Sequence, residues 1–429
     1  MKDRAAEHLI DVEELKVGMF IHLDLGWMSH PFPLSSFKLA SEDQLLILRR
    51  LGLKKVRWNP DKSDAPFDPT LPEPVASPDT SATPPPAPSP DAAAEAALRE
   101  ALKVQRESLQ LCERQYAEAS QALKELTDLI PIQPETARDQ SQALSQALLD
   151  KMLVEGDLSI RLLTETTGDR ATAHGLNVAI ISLLLGRACG LSVDELAQLG
   201  VGALLHDIGK MELPMRFRQR DESFTAAEMQ LYQQHVAKGV ALGQKMGLAS
   251  GPLLVIAQHH EHIDFSGFPQ RIGAEKMSVG ARIVALVNRF DGLCNPAVAA
   301  KALTPHEALS LLFAQGRSRF DATMLNAFIR MMGVYPPGSA VQLTDDRYAL
   351  VVAVNSSRPL KPRVMVHDAK VPRDEALLLN LEELPELGIR RSLKPQQLPM
   401  AAADYLSPRS RVAYFFEPSV PSPRSQLAA

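Results

Sequence analysis

From residue 135 to about 335 the apolar positions follow a helical pattern almost throughout. The pattern predicts helices over 138–155, 158–167, 171–189, 193–205, 226–246, 252–260, 279–293, 305–315 and 322–332. On both sides of this block the pattern changes. VGMFIHLDL at 17–25 has strand character, a proline-punctuated stretch follows, residues 42–51 read as a short amphipathic helix, and LKKVRW reads as another strand. Residues 1–62 therefore form a small β-rich module, with Trp27 and Phe32 read as its core packing. Beyond Pro336, VQLTDDRYALVVAVN has two β-rich runs around TDDR, and PRVMVHD supplies a third. Residues 336–415 read as a small β-containing appendage, and 416–429 as a disordered tail. The fold class is mainly α, an all-helical core with small β parts at either end.

Two stretches connect the first module to the helical block. Ten of the 32 prolines lie between Pro66 and Pro90, so 63–90 is an extended linker that buries no core. Residues 91–130 contain no Gly, are rich in Ala, Leu, Glu and Gln, and predict one long helix capped by Asp91. Leu98, Leu102, Leu109, Leu123 and Leu126 give it a partial apolar stripe, suited either to a homodimer or to packing on its own domain.

Composition narrows the class. A length of 429 residues suits two or three domains, and a net charge of -5 gives no reason to expect nucleic acid as a partner. Cys112, Cys189 and Cys294 are far apart, without CxxC spacing, and read as reduced thiols. The charged N-terminus does not resemble a signal peptide, and the apolar run from Val178 to Leu185 is too short to span a bilayer. A cytoplasmic protein with no membrane span is expected.

The chemistry concentrates in the helical block. LLHDIGK at 204–210 sets an imidazole beside a carboxylate, His206 and Asp207. Of 11 histidines, six fall between 174 and 262: His174, His206, His235, His259, His260 and His262. Neutral imidazole with carboxylate suits iron, manganese or zinc.

These residues carry a resemblance. Residues 165–335 resemble the HD-GYP domains of the HD phosphohydrolase superfamily. HGLNVAIISLLLGRACGLS resembles the opening helix, GALLHDIGK the central motif, and HVAKG the isolated later histidine. HHEHIDFSGFP aligns with the pattern HHExxDGxGYP, and ARIVALVNRFDGL with the closing helix. LKVGMFIHLDLGWMSHPF resembles the small domain of unknown function found ahead of some HD-GYP domains. The resemblance implies two divalent metal ions, iron or manganese, and hydrolysis of the second messenger cyclic di-GMP. Carried over by position, His174, His206 and Asp207 hold one ion. Asp207, His235, His259 and His260 hold the other, and Lys210 reaches a phosphate. Asp207 and Lys210 are then the catalytic pair, and Gly267, Phe268 and Pro269 line the substrate. Cyclic di-GMP is the expected partner, with a diguanylate cyclase of the GGDEF type and a second copy of the chain as further ones.

The sequence departs from the pattern at several places. Asn288 stands where the closing helix usually has an aspartate ligand, so the first ion is expected to be held more weakly. Asp291 and Asp264 are expected to support the site from behind the ligands. Arg170 occupies the position of the glutamate that accompanies a third ion. Phe265 replaces a glycine, and CNPAVAAK lacks the arginines of an RPYR-like nucleotide contact. Arg216, Arg218 and Arg220 read as a solvated basic loop. These departures define the alternative, a degenerate HD-GYP module that binds cyclic di-GMP or partner proteins without efficient turnover.

Overall fold

Alternating apolar residues in the first module pair into an antiparallel sheet. Its strands are β1 (His8–Asp11), β2 (Phe20–His22), β3 (Ser36–Lys38) and β4 (Lys55–Asn59), in the order β1-β4-β2-β3. Helix α1 (Glu42–Arg50) starts where the Ser41 hydroxyl accepts from the Gln44 amide, and it buries Leu45 and Leu48 against Ile10, Ile21, Val56 and Trp58. Phe32 belongs to this core, 4.5 Å from Phe37 between ring centres.

The structure, a computed structural model, describes residues 8–25, 30, 32, 36–64, 90–153, 158–163, 169–355, 358, 360–376, 378–408 and 411–418. Trp27, the linker apart from its end residues Ser63, Asp64 and Pro90, and residues 419–429 of the expected tail lie outside these. The chain divides into two units, 1–100 and 101–429, and the division falls inside the long helix α2 (Pro90–Leu129).

In the second unit α2 buries Leu102, Cys112, Tyr116, Ala119, Leu123 and Leu126. These positions recur at helical spacing, and Tyr116 meets Phe415 edge-on at 6.4 Å. Most of the stripe read from the sequence is therefore covered within its own unit. Next come α3 (Pro134–Met152), β5 (Leu158–Leu162), α4 (Arg170–Ala188), α5 (Val193–Leu205), α6 (Ala226–Met246), α7 (Ser250–Gln258), α8 (Val279–Cys294), α9 (Pro305–Gln315) and α10 (Ala322–Met332). Helix α4 is apolar nearly all round, as a helix buried on every side must be. It is, among the described residues, the one helix long and apolar enough to cross a membrane, and 72% of that stretch is buried inside the unit. Its neighbours α5, α8 and α3 surround it.

One element corrects the sequence reading. Residues 158–162 form a strand, not the start of a helix. Leu158, Ile160 and Leu162 alternate with Ser159 and Arg161, a period of two, but the run is short and sits among helices. β5 belongs to the C-terminal sheet, which also holds β6 (Ala340–Leu343), β7 (Tyr348–Asn355), β8 (Arg363–Val366), β9 (Leu378–Asn380) and β10 (Ile389–Leu393). Helix α11 (Met400–Leu406) follows, and β11 (Tyr414–Pro418) pairs antiparallel with β5, Phe416 opposite Ile160. Residues 416–418 are thus strand rather than tail. Arg161 is buried only because Glu417, two residues along β11 from its partner Phe415, accepts at 3.2 Å, with Arg363 on the same carboxylate. The C-terminal region is stitched into the helical block by this strand.

Candidate metal centre

Four helix ends and one helix face meet at one point. His174 lies in the first turns of α4, His206 caps the C-terminus of α5, and Asp207 opens the short 3-10 turn Ile208–Glu212. His235 projects from α6, and His259 and His260 follow α7. The crossing of that turn on α6 is close. A Cβ on Gly209 would fall well inside contact distance of the His235 carbonyl oxygen and the Gly239 amide, so only glycine fits.

The imidazoles are oriented from behind. Nδ1 of His206, His235 and His259 donates to the carbonyls of Ala203, Tyr232 and Ile256, at 2.7, 2.6 and 2.8 Å. Nδ1 of His174 donates to Asp291 Oδ2 at 2.6 Å. A carbonyl only accepts, so in the neutral rings the proton sits on Nδ1 and the lone pair on Nε2. Those lone pairs face one another: His174 Nε2 lies 3.2 Å from His206 Nε2, and His235 Nε2 lies 3.3 Å from His259 Nε2. Two ligands about 2.1 Å from one ion stand about 3.0–3.4 Å apart at right or tetrahedral angles.

Asp207 lies between the pairs. Its Oδ2 is 3.5 and 3.4 Å from Nε2 of His174 and His206, and its Oδ1 is 3.6 Å from Nε2 of both His235 and His259. Lys210 Nζ donates to Oδ2 at 2.6 Å and lies 5.5 Å from the centre of the Tyr232 ring. Two groups of side chains could each hold a cation: Asp207, His235, His259 and His260, and His174, His206 and Asp207. Within each group the donor atoms all lie within 4.8 Å of one another. Asp207 Oδ1 and His260 Nε2 are buried with no hydrogen-bond partner. Burying such atoms unpaired costs roughly 1–3 kcal/mol each, and a cation removes that cost. The donor set fits a divalent metal.

Charge states agree. Burial lowers the pKa of His206, pushes His235 down to about 3 and holds His260 well below its ordinary value. Burial would raise the Asp207 carboxyl, but the Lys210 ammonium beside it outweighs this, and the group stays well below the usual carboxylate range. Neutral imidazoles around an ionised carboxylate are the forms that bind metal.

The remaining sequence candidates fall as follows. Asn288 is half-buried one turn before Asp291 on α8 and makes no side-chain hydrogen bond to a described residue. Asp291 is buried and takes no part in either donor group; besides His174 it accepts from Asn177 and Asn295, at 2.9 and 2.8 Å. Phe268 stacks on His260, ring centres 4.4 Å apart, and Gly267 is buried where a Cβ would strike the His260–His262 backbone. Pro269 is exposed beside them. Asp264 accepts from the Ser266 amide at 3.0 Å and shapes the turn at Phe265. Arg170 donates to Gln219 and to the Asn295 carbonyl.

Sequence reasoning missed three supports. Glu261 is completely buried and accepts from the backbone amides of Gln270, Arg271 and Ile272, at 2.6, 3.1 and 3.2 Å. Its acidity in the middle of HHEH was the available signal. Asn177 and Asn295 each donate to the Val412 carbonyl as well, at 3.0 and 2.9 Å, and so tie the approach to β11 to the back of His174. Asn177 was detectable as a lone amide in an apolar helix, one turn after His174. Glu261→Gln is expected to turn an amide NH2 toward those donors and speed hydrogen exchange at residues 270–272 about tenfold or more. Unchanged exchange there would remove the loop-holding role.

Comparison with known proteins adds the following. Residues 158–324 match the family described as HD domain, and residues 8–140 match the Domain of unknown function (DUF3391). A cyclic di-GMP phosphodiesterase of Pseudomonas aeruginosa is 28% identical over 361 residues, 83% of this chain and 84% of that protein. The cyclic di-GMP phosphodiesterase PdeB of Borreliella burgdorferi is 22% identical over 54% of this chain and 62% of that protein. A cyclic di-GMP phosphodiesterase response regulator of Xanthomonas campestris is 32% identical over 34% of this chain and 39% of that protein.

Proposed function

We propose that this chain, an HD-domain protein with DUF3391 ahead of its helical core, is a metal-dependent phosphodiesterase that hydrolyses cyclic di-GMP. One observation carries the reading. Imidazole lone pairs converge in two groups on the two oxygens of a single carboxylate, Asp207, an arrangement that repels itself until cations join it.

Asp207 with His174 and His206 would hold one ion, Asp207 with His235, His259 and His260 the other, and iron or manganese suits this mixed nitrogen and oxygen set. Bound there, the two ions supply Lewis acidity and charge neutralisation for attack of water on the phosphodiester. Asp207 spans both groups. Lys210 adds a compact positive charge where the transition state turns negative. Asp291 fixes the ring and tautomer of His174, and Phe268 covers His260 on the loop side. Incubating the full chain, purified without oxygen and supplied with Mn(II) or Fe(II), with cyclic di-GMP tests the reading. Chromatography should show the linear dinucleotide or GMP, and chelator should abolish it; intact cyclic di-GMP after loading of both sites contradicts it.

Asn288 favours the second reading, binding without efficient turnover. On α8 it offers a neutral amide one turn from Asp291, so the His174 side is short of one negative charge. The His235 group should then fill first. Asn288→Asp is expected to bring metal content toward two per chain and raise turnover about tenfold. If content and rate stay unchanged, Asn288 is already a competent ligand or no ligand at all. The wider reading includes a diguanylate cyclase of the GGDEF type and a homodimer as partners, to be checked by co-purification and by light scattering of the full chain.

A further inference from the structure

The two asparagines behind His174 have every polar side-chain atom engaged. Asn177 Nδ2 donates to Asp291 Oδ1 at 2.9 Å and to the Val412 carbonyl at 3.0 Å, and its Oδ1 accepts from the Tyr414 amide at 3.2 Å. Asn295 Nδ2 donates to the same two oxygens at 2.8 and 2.9 Å, and its Oδ1 accepts from the Val412 amide at 2.9 Å. Carboxylate and carbonyl oxygens only accept and a backbone N–H only donates, so neither amide group can be turned over without losing all three bonds. Asp291, completely buried, is held in turn. Its Oδ1 takes both amides, and its Oδ2 is left to His174 Nδ1 at 2.6 Å.

The backbone that these amides meet is a strand edge. β11 is the last strand of its sheet and pairs with β5 along one side. Successive residues of a strand turn their N–H and C=O groups to opposite edges. The Ala413 carbonyl accepts from the Leu163 amide at 3.0 Å, on the β5 side, while Val412 and Tyr414 turn theirs to the asparagines. Two side chains thus do for that edge what a further strand would do. The far end of β11 is seated as well. The buried Glu417 carboxylate takes Arg161 of β5 at 3.2 Å and the Ser108 hydroxyl of α2 at 2.8 Å.

We propose that Asn177 and Asn295 are positioning residues of the metal centre, acting through Asp291 on His174, with the backbone at Val412 and Tyr414 as the template that sets them. This rests on the two-ion centre proposed above. Its consequence is one-sided. His206, His235 and His259 are oriented by carbonyls three residues back, in the helix that each one belongs to or caps. His174 is oriented instead by a carboxylate from another helix, and that carboxylate depends on two amides and on a strand from the far end of the chain. Loosening the relay therefore weakens the group of His174, His206 and Asp207 and spares that of Asp207, His235, His259 and His260.

The test uses the full chain, stripped of metal and titrated with Mn(II) by calorimetry, with the paramagnetic resonance spectrum recorded at each addition. Wild type should show two classes of site, and His174→Ala, which removes one ligand, identifies the class on that side. Asn177→Ala and the milder Asn295→Ala, at a half-buried position, should each weaken that class about tenfold or more and leave the other within about twofold. At one Mn(II) per chain their spectra should match wild type; at two, the signal of a coupled pair should give way to that of isolated ions. Ser145→Ala on α3 removes a buried hydrogen bond of 3.0 Å to the Ala197 carbonyl, so it loosens the core in a similar way and should alter neither class. An unchanged His174 class in both asparagine variants, or equal weakening of both classes, overturns the inference and leaves the metal centre standing. A wild-type chain that takes up no Mn(II), or whose uptake His174→Ala does not alter, overturns the two-ion centre, and the inference with it.

Discussion

Asp207→Ala is expected to strip both halves of the metal centre together and to lower phosphodiester hydrolysis by roughly a thousandfold or more. The reason is geometric. Oδ2 stands 3.4–3.5 Å from Nε2 of His174 and His206, while Oδ1 stands 3.6 Å from Nε2 of His235 and His259, so one side chain serves both groups. Removing it leaves only neutral nitrogens to hold two divalent charges, and leaves Lys210 without the acceptor it meets at 2.6 Å. Elemental analysis of the purified variant should find almost no metal, with thermal stability measured alongside to show that the chain is folded. A folded variant that keeps one ion per chain would mean that the His235 group binds without the carboxylate, and the bridging role would be lost.

Gly209→Ala should cause the largest loss of stability of any single methyl added near the site. The new Cβ would overlap the His235 carbonyl oxygen and the Gly239 amide, both backbone atoms of α6 that cannot rotate away. Overpacking costs about 1–3 kcal/mol where side chains can shift, and backbone overlap belongs at or above the top of that range. In the second unit this corresponds to a fall in Tm on the order of 10 °C. Because the turn carrying Gly209 also carries Asp207, and α6 carries His235, the metal affinity should fall as well. A Tm within a degree or two of wild type would show that the crossing has slack.

Local chemistry made most of the site legible. His206 and Asp207 stand side by side, His259 and His260 do the same, and spacing of ligand types does not depend on tertiary packing. The helical period likewise marked α4 to α10, because each buries a face that repeats in sequence. What stayed hidden is non-local. The period-two alternation of β5 is five residues long and became readable only once β11, more than two hundred residues away, paired with it. Sequence distance likewise concealed the acceptor that Asn177 and Asn295 share, the Val412 carbonyl, 235 and 117 residues away. The loop arginines show the converse. They look alike in sequence, yet the fold engages Arg216 with the Glu228 carboxylate and Arg218 with the carbonyls of Leu213 and Met211.

Anomalous diffraction from a crystal of anaerobically loaded full chain, recorded at the iron and manganese edges, measures the central claim directly. Two peaks are expected, one among Asp207, His235, His259 and His260 and a weaker one among His174, His206 and Asp207, each within about 2.0–2.3 Å of its donor atoms. A single peak bonded to neither oxygen of Asp207, or full loading with no peak among these histidines, would contradict it.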